Sequence, residues 1–225
     1  MELALPLAFA LGFLGGFKHA FEPDHMIAVS TLLHREARLS RALRTGMAWG
    51  AGHTTTLVLG VLVVGVLRVQ ITAEHLGFFE IPVAFMLLGL GAWALFDAVS
   101  RLAHLRRHTH DGVPHFHVGA HPHPHGFSLR RAGWPGFAVG LVHGLAGSGA
   151  LLLLVAATLP SLGMSVLYAL VFGLGSILGM AGVTLLLALP FRAARTRPAF
   201  HHTLTGLSGA LSLILGVSIL YATLA

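Results

Sequence analysis

The chain has no cysteine among its 225 residues. That removes disulfides, a CxxC redox pair and thiolate metal ligands, and with them a membrane thiol–disulfide carrier. Charge is the second scarcity. Asp, Glu, Lys and Arg make up 10% of the chain, against about 25% in a soluble domain. Between Ala132 and Phe191 there is no charged residue of these types. No soluble surface tolerates such a run, and it is long enough for two bilayer crossings at ~20 residues each. Lysine occurs once, at Lys18; the other basic residues are Arg, in short clusters between apolar runs. That distribution speaks of membrane topology and against nucleic-acid binding. There is no HExxH helix and no separate acid–base pair stands out, so a metallohydrolase, or any enzyme, is a poor reading.

What is present is hydrophobicity, at 55% of residues and a mean hydropathy of +0.80. Six apolar segments emerge: Leu3–Leu33, Thr45–Leu67, Gly77–Ala98, Trp134–Leu159, Met164–Leu189 and Thr203–Leu224. The fold class expected is all-α, a polytopic membrane protein with six transmembrane helices. The opening MELALPLAFALGF lacks the basic region of a cleavable signal and reads as the start of the first span. Arg35, Arg38, Arg41 and Arg44 crowd the first loop; Arg101, Arg106, Arg107, Arg130 and Arg131 the third; Arg192, Arg195 and Arg197 the fifth. The second loop mixes Arg68 with Glu74 and Glu80, and the fourth is uncharged. Basic loops face the cytoplasm. The expectation is an inner-membrane, multi-pass protein with both termini outside. Residues 1–225 form one transmembrane domain, with halves of about 1–100 and 133–225. A cytoplasmic loop, 101–132, is expected to be disordered.

The first segment is too long for one pass. About 31 helical residues would span ~46 Å against a ~30 Å core. It holds Gly15-Gly16, Pro23 and the polar string Lys18-His19-Ala20-Phe21-Glu22-Pro23-Asp24-His25. Proline removes a backbone donor and clashes with the preceding turn, so a break is expected between Gly15 and Asp24. Such a break is tolerated at membrane depth only where it is buried in protein or lines a cavity.

The halves echo one another. Gly16-Phe17-Lys18-His19-Ala20-Phe21 matches Gly140-Leu141-Val142-His143-Gly144-Leu145, and Trp49-Gly50-Ala51-Gly52-His53 matches Phe172-Gly173-Leu174-Gly175-Ser176. With an odd number of spans per half, the expectation is a 3+3 inverted repeat. Such repeats support alternating access by rocking one half against the other.

Counting residues into each span puts His19, His53 and His143 near one depth, with Glu22, Asp24 and His25 close by. Ionisable groups inside a membrane usually face a cavity or a partner. Imidazole suits Ni(II), Co(II) or Zn(II), and a carboxylate offsets the ion's charge. The candidate metal ligands are His19, Asp24, His25 and His53, with His143 and Glu22 as further candidates. Thr54, Thr55 and Ser148 are candidates for hydrogen bonds behind them. On a straight helix His19 and His25 would point ~240° apart; only a break brings them to one ion. For His143 alone, a helix-to-helix hydrogen bond is an equally good reading.

The third loop is rich in histidine: His104, His108, His110, His115, His117, His121, His123 and His125. HxH spacing and the HPHPH run are compositional signs of metal binding. A solvated cationic loop is the plainer alternative.

The string His19 to His25 has the form HX4DH. It resembles the signature of the nickel/cobalt transporter superfamily, in its NicO branch with UreH-like permeases. Gly52-His53-Thr54-Thr55-Thr56 resembles that family's second-helix motif, with Thr54 where Ser is usual. His143-Gly144-Leu145-Ala146-Gly147-Ser148-Gly149 resembles a segment of the UreH-like members. The resemblance covers most of the chain in the same order. It implies a transporter of Ni(II) or Co(II), with His19, Asp24, His25 and His53 in metal recognition. The ion is cargo, with no cofactor. Partners by analogy are the bilayer, a cytoplasmic metallochaperone, or urease or hydrogenase maturation proteins. The branch also includes exporters, so uptake and efflux both stand at this point.

Overall fold

The computed structural model describes residues 4–34, 36, 38–68, 77–103, 108–110, 113–115, 133–144, 146–194 and 196–225. Among these, the elements in order are α1 (Ala4–His19), α2 (Pro23–Leu33), α3 (Leu39–Leu67), α4 (Glu80–Ala103), β1 (His108–His110), β2 (Val113–His115), α5 (Trp134–His143), α6 (Ser148–Ala157), α7 (Leu162–Ala194) and α8 (Pro198–Leu224).

Four helices, α3, α4, α7 and α8, are long and apolar enough to cross a membrane. Their outward faces are greasy, with Leu59, Phe85, Phe96, Leu186 and Ile214 more than half exposed. A water-soluble fold would bury such a belt; a lipid-facing one leaves it out. Of the six transmembrane helices expected, the first of them broken, four are continuous helices of membrane-crossing length among the described residues. The first and fourth apolar segments are each two short helices, α1–α2 and α5–α6. The expected break in the first falls at Ala20–Glu22, immediately before Pro23 opens α2. The break in the fourth, at Gly144–Gly147, was not anticipated. Gly147 makes it, with φ of 57°, a backbone region that an L side chain rarely enters. The all-helical expectation needs one small amendment. β1 and β2 pair antiparallel inside the histidine-rich loop, with His108 opposite His115. The rest of that loop lies outside the described residues.

Glycine sets how closely the long helices meet. A methyl at Gly50 of α3 would stand 2.6 Å from Ile177 Cα of α7, so the two backbones nearly touch there. Small residues permit such approach, which drives helix association where lipid offers no hydrophobic contrast. On either side of this crossing, each short helix docks on the long helix of the other half. Gly16 of α1 lies against the Phe172 carbonyl and the Ser176 nitrogen of α7, and Ser176 Oγ donates to the Gly16 carbonyl at 3.2 Å. Gly140 of α5 lies against the Trp49 carbonyl and the His53 nitrogen of α3. In return, Gly175 meets Phe13 and Phe17, and Gly52 meets Phe137 and Leu141. α4 and α8 pair through Gly91 and Gly209, each facing the other's carbonyl. Both breaks are thereby pressed into the middle of the bundle, beside Trp49, Val83 and Met180 of the buried core.

Candidate metal centre

α1 ends on His19. Phe21 N–H donates to the Lys18 carbonyl at 2.9 Å and Glu22 N–H to the His19 carbonyl at 3.0 Å, closing the helix in a tight turn. Glu22 is extended, and Pro23, Asp24 and His25 form the first turn of α2. This reversal brings the His19 and His25 ring centroids within 4.4 Å, as the broken-helix expectation required. His53 comes in from α3, with its ring 4.8 Å from His19 and 5.6 Å from His25. His143, the last residue of α5, stacks on His25 at 4.0 Å. Trp49 walls the cluster, stacked against both His25 and His143 at 5.8 and 5.7 Å.

The carboxylates tie these rings together. Asp24 Oδ1 lies 3.1 Å from His25 Nδ1 and accepts the His25 backbone N–H at 2.9 Å. Asp24 Oδ2 lies 2.8 Å from His143 Nε2. Glu22 Oε2 lies 3.0 Å from His19 Nδ1. All four histidines are at most 2% exposed. Yet His25 Nε2, both ring nitrogens of His53 and His143 Nδ1 have no hydrogen-bond partner among the described residues. A buried unsatisfied polar atom costs roughly 1–3 kcal/mol, so several in one spot call for a reason. Donor atoms of His19, His25 and His53 lie within 4.8 Å of one another, as do those of Asp24, His25 and His143. Donors about 2.0–2.1 Å from one ion sit somewhat closer than that, a gap that small side-chain rotations close. The arrangement can strip and hold one divalent cation.

The structure thus brings together His19, Asp24, His25, His53 and His143, with Glu22 one bond away. The hydroxyls of Thr54 and Thr55 donate to the carbonyls of Gly50 and Ala51, one turn back on α3. Thr56 reaches further, donating to the Leu141 carbonyl of α5 at 2.8 Å. The Ser148 side chain lies outside the described part of the structure, as do all the loop histidines' side chains. Sequence reasoning missed Trp49, although a residue four before His53 shares its helix face. It also missed a cavity of about 270 Å³ beside the cluster, lined by Glu22, Asp24, Glu80, Gly147, Leu215 and Ile219 among others. A second histidine–carboxylate pair joins α2 to α4, with His34 Nε2 3.5 Å from Asp97 Oδ2.

Four membrane-length helices around a buried knot of imidazoles and carboxylate define a helical membrane protein with a candidate cation site. The chain is 32% identical over 213 residues to the urease accessory protein UreH of Bacillus sp. (strain TB-90), covering 94% of this chain and 89% of that protein. It belongs to the UreH-like, NicO branch of the nickel/cobalt transporter superfamily. It is also 26% identical over 213 residues to the chloroplast protein FOR GROWTH AND FERTILITY 1 of Arabidopsis thaliana, covering 92% of this chain and 57% of that protein. No family model and no solved structure matches the chain.

Proposed function

We propose that this protein carries a divalent transition-metal ion, Ni(II) or Co(II), across the membrane, held in transit by His19, Asp24, His25 and His53. His143 and Glu22 complete or orient that set. The observation that carries the reading is the group of buried ring nitrogens without partners on His25, His53 and His143, converging where two helices break. Neutral imidazoles give the ion borderline nitrogen donors, and Asp24 offsets part of its charge in a dry interior. The protein is a carrier, since nothing in this scheme makes or breaks a covalent bond.

We read α1–α2 and α5–α6 as one pass each, making six passes in a 3+3 inverted repeat. The contacts favour this, because Gly16 meets Phe172 as Gly140 meets Trp49, and Gly175 meets Phe13 as Gly52 meets Phe137. Those are the positions that the sequence echo pairs. Each half then contributes one broken helix, whose carbonyl-rich C-terminal end, at His19 or His143, faces the cation. Discontinuous helices of this kind build ion sites in other inverted-repeat carriers. With the Arg-rich loops cytoplasmic, the cavity beside Asp24 opens on the outer side, toward the starts of α4 and away from the loop of Arg38 and Arg41. That is the face from which an imported ion would enter, in keeping with uptake. The name of the relative, a urease accessory protein, suggests delivery to a maturation protein or metallochaperone in the cytoplasm.

The test is flux into proteoliposomes with Ni(II), Co(II), Zn(II) and Mn(II), comparing wild type with His25→Ala and His53→Ala. Selective Ni(II) or Co(II) flux, lost in both variants while both remain monodisperse, is expected. Flux that survives both substitutions, or no flux with any ion, would sink the reading.

A further inference from the structure

The cavity beside the histidine cluster has a chemistry of its own. Among the described residues its walls carry three carboxylates, Glu22, Asp24 and Glu80, and no lysine or arginine. Val83 of α4, Leu215 and Ile219 of α8, and Pro23, Ala146 and Gly147 at the two helix breaks line the rest. Two of the carboxylates are shared with the cluster behind. Glu22 bonds His19, and Asp24 bonds His25 and His143. Behind them lie the buried, partnerless nitrogens of His25 and His53. The acidic wall is therefore the front of a donor set, with Asp24 as the boundary between a wet side and a dry one.

Glu80 is the carboxylate with no part in the cluster. It opens α4, the helix that the sequence places at the outer surface, and it is partly exposed. The cavity, about 270 Å³, has room for several waters beside the carboxylates, so an ion can enter with waters still attached. Apolar walls on α4 and α8 focus the field of the three carboxylates inward.

We propose that Glu80, with Glu22 and Asp24, forms an antechamber that captures a hydrated divalent cation from the outer aqueous face and passes it to the histidine cluster. Glu80 is the first protein oxygen the ion meets, and Asp24 is where water is exchanged for imidazole. This rests on the transport reading above, but it makes separate demands. It assigns Glu80 to capture and not to the tight site, so its loss slows entry at low ion concentration and leaves the saturated rate alone.

The experiment measures initial Ni(II) uptake in proteoliposomes for wild type, Glu80→Gln and Glu80→Asp. At low ionic strength, Glu80→Gln is expected to lower the rate below half-saturation by about ten-fold, with the maximal rate near wild type. Added salt narrows the gap, and Glu80→Asp keeps most of the wild-type rate. A second readout exploits the absence of cysteine. Glu80→Cys should react with a membrane-impermeant charged methanethiosulfonate added to the face opposite the Arg-rich loops, and Ni(II) should slow that reaction. Wild-type uptake by Glu80→Gln at every concentration and salt level would overturn the proposal, as would reaction of Glu80→Cys from the other face only or from neither. If His25→Ala retains flux while the Glu80 results hold, the histidine reading fails and the antechamber stands.

Discussion

Substituting Gly140 by Ala tests the link between helix packing and the metal cluster. A methyl there would stand 2.9 Å from the His53 nitrogen, and nearer still to the Trp49 carbonyl oxygen. Ordinary contact begins at 3.4 Å, so α5 must back away from α3. Both atoms belong to backbone, which has no rotamer to give. His143 sits one turn further along α5, stacked on His25 and bonded to Asp24 at 2.8 Å. A retreat of α5 therefore pulls His143 off Asp24 and off the His25 ring on which it stacks. Overpacking of this kind costs roughly 1–3 kcal/mol. Misorienting a ligand's support typically costs 10–100-fold in metal affinity. The comparison is Gly89→Ala in α4, where nothing lies within 4 Å of the added methyl. That change should stabilise by about 0.5–1 kcal/mol through helix propensity alone. Thermal unfolding in detergent and calorimetric titration with Ni(II) supply the readouts. Gly140→Ala should lose stability and at least ten-fold in affinity, and Gly89→Ala neither. If Gly140→Ala matches Gly89→Ala in both, the glycine contact does not position the cluster.

Asp24→Asn keeps the shape but removes the charge that two imidazoles share; Ni(II) affinity should fall by ten-fold or more in the same titration, and an unchanged constant would remove Asp24 from the site. Ligating imidazoles must be neutral, so Ni(II) and protons compete for the same ring nitrogens, and in acid the Ni(II)-bound protein should hold fewer protons than the free protein. A calorimetric titration in acid buffers that shows no coupling between Ni(II) binding and proton release, at any pH where the protein stays folded, would argue against histidine ligands. Deleting residues 104–125 should reduce the metal bound per chain in equilibrium dialysis but leave one tight site. Loss of that tight site would move recognition into the loop.

The break at Pro23 was legible because a proline and a string of polar residues interrupt an apolar segment, and few readings of that pattern survive at membrane depth. The meeting of His19, Asp24, His25, His53 and His143 was legible for the same reason, since lone ionisable groups in three spans have little else to face. Gly144 to Gly147 was not. Glycine in a membrane helix most often serves close packing, as at Gly140, and only the positive φ at Gly147 separates a break from a contact. Glu80 was assigned to a loop by counting hydropathy, and nothing in sequence says which carboxylate beside a membrane surface turns into a cavity. Trp49 was quoted only as part of an echo; its stacking on two histidines depends on how α3 and α5 cross.

The glycine contacts also decide which parts of the molecule move together. α1 is clamped to α7, and α5 to α3, through backbone-close contacts. Each clamp joins a piece of one sequence half to a piece of the other. Rocking the first half of the chain against the second would tear both clamps open. α3 and α7 are themselves backbone-close at more than one level, Gly46 against the Met180 carbonyl and Gly50 against Ile177, so α1, α3, α5 and α7 form one connected block. α2, carrying Asp24 and His25, joins that block through the turn at Ala20–Glu22 and buries Ala28, Val29 and Leu33 in the core. His19, His53 and His143 all sit on the block, which keeps three of the four imidazoles at a fixed spacing.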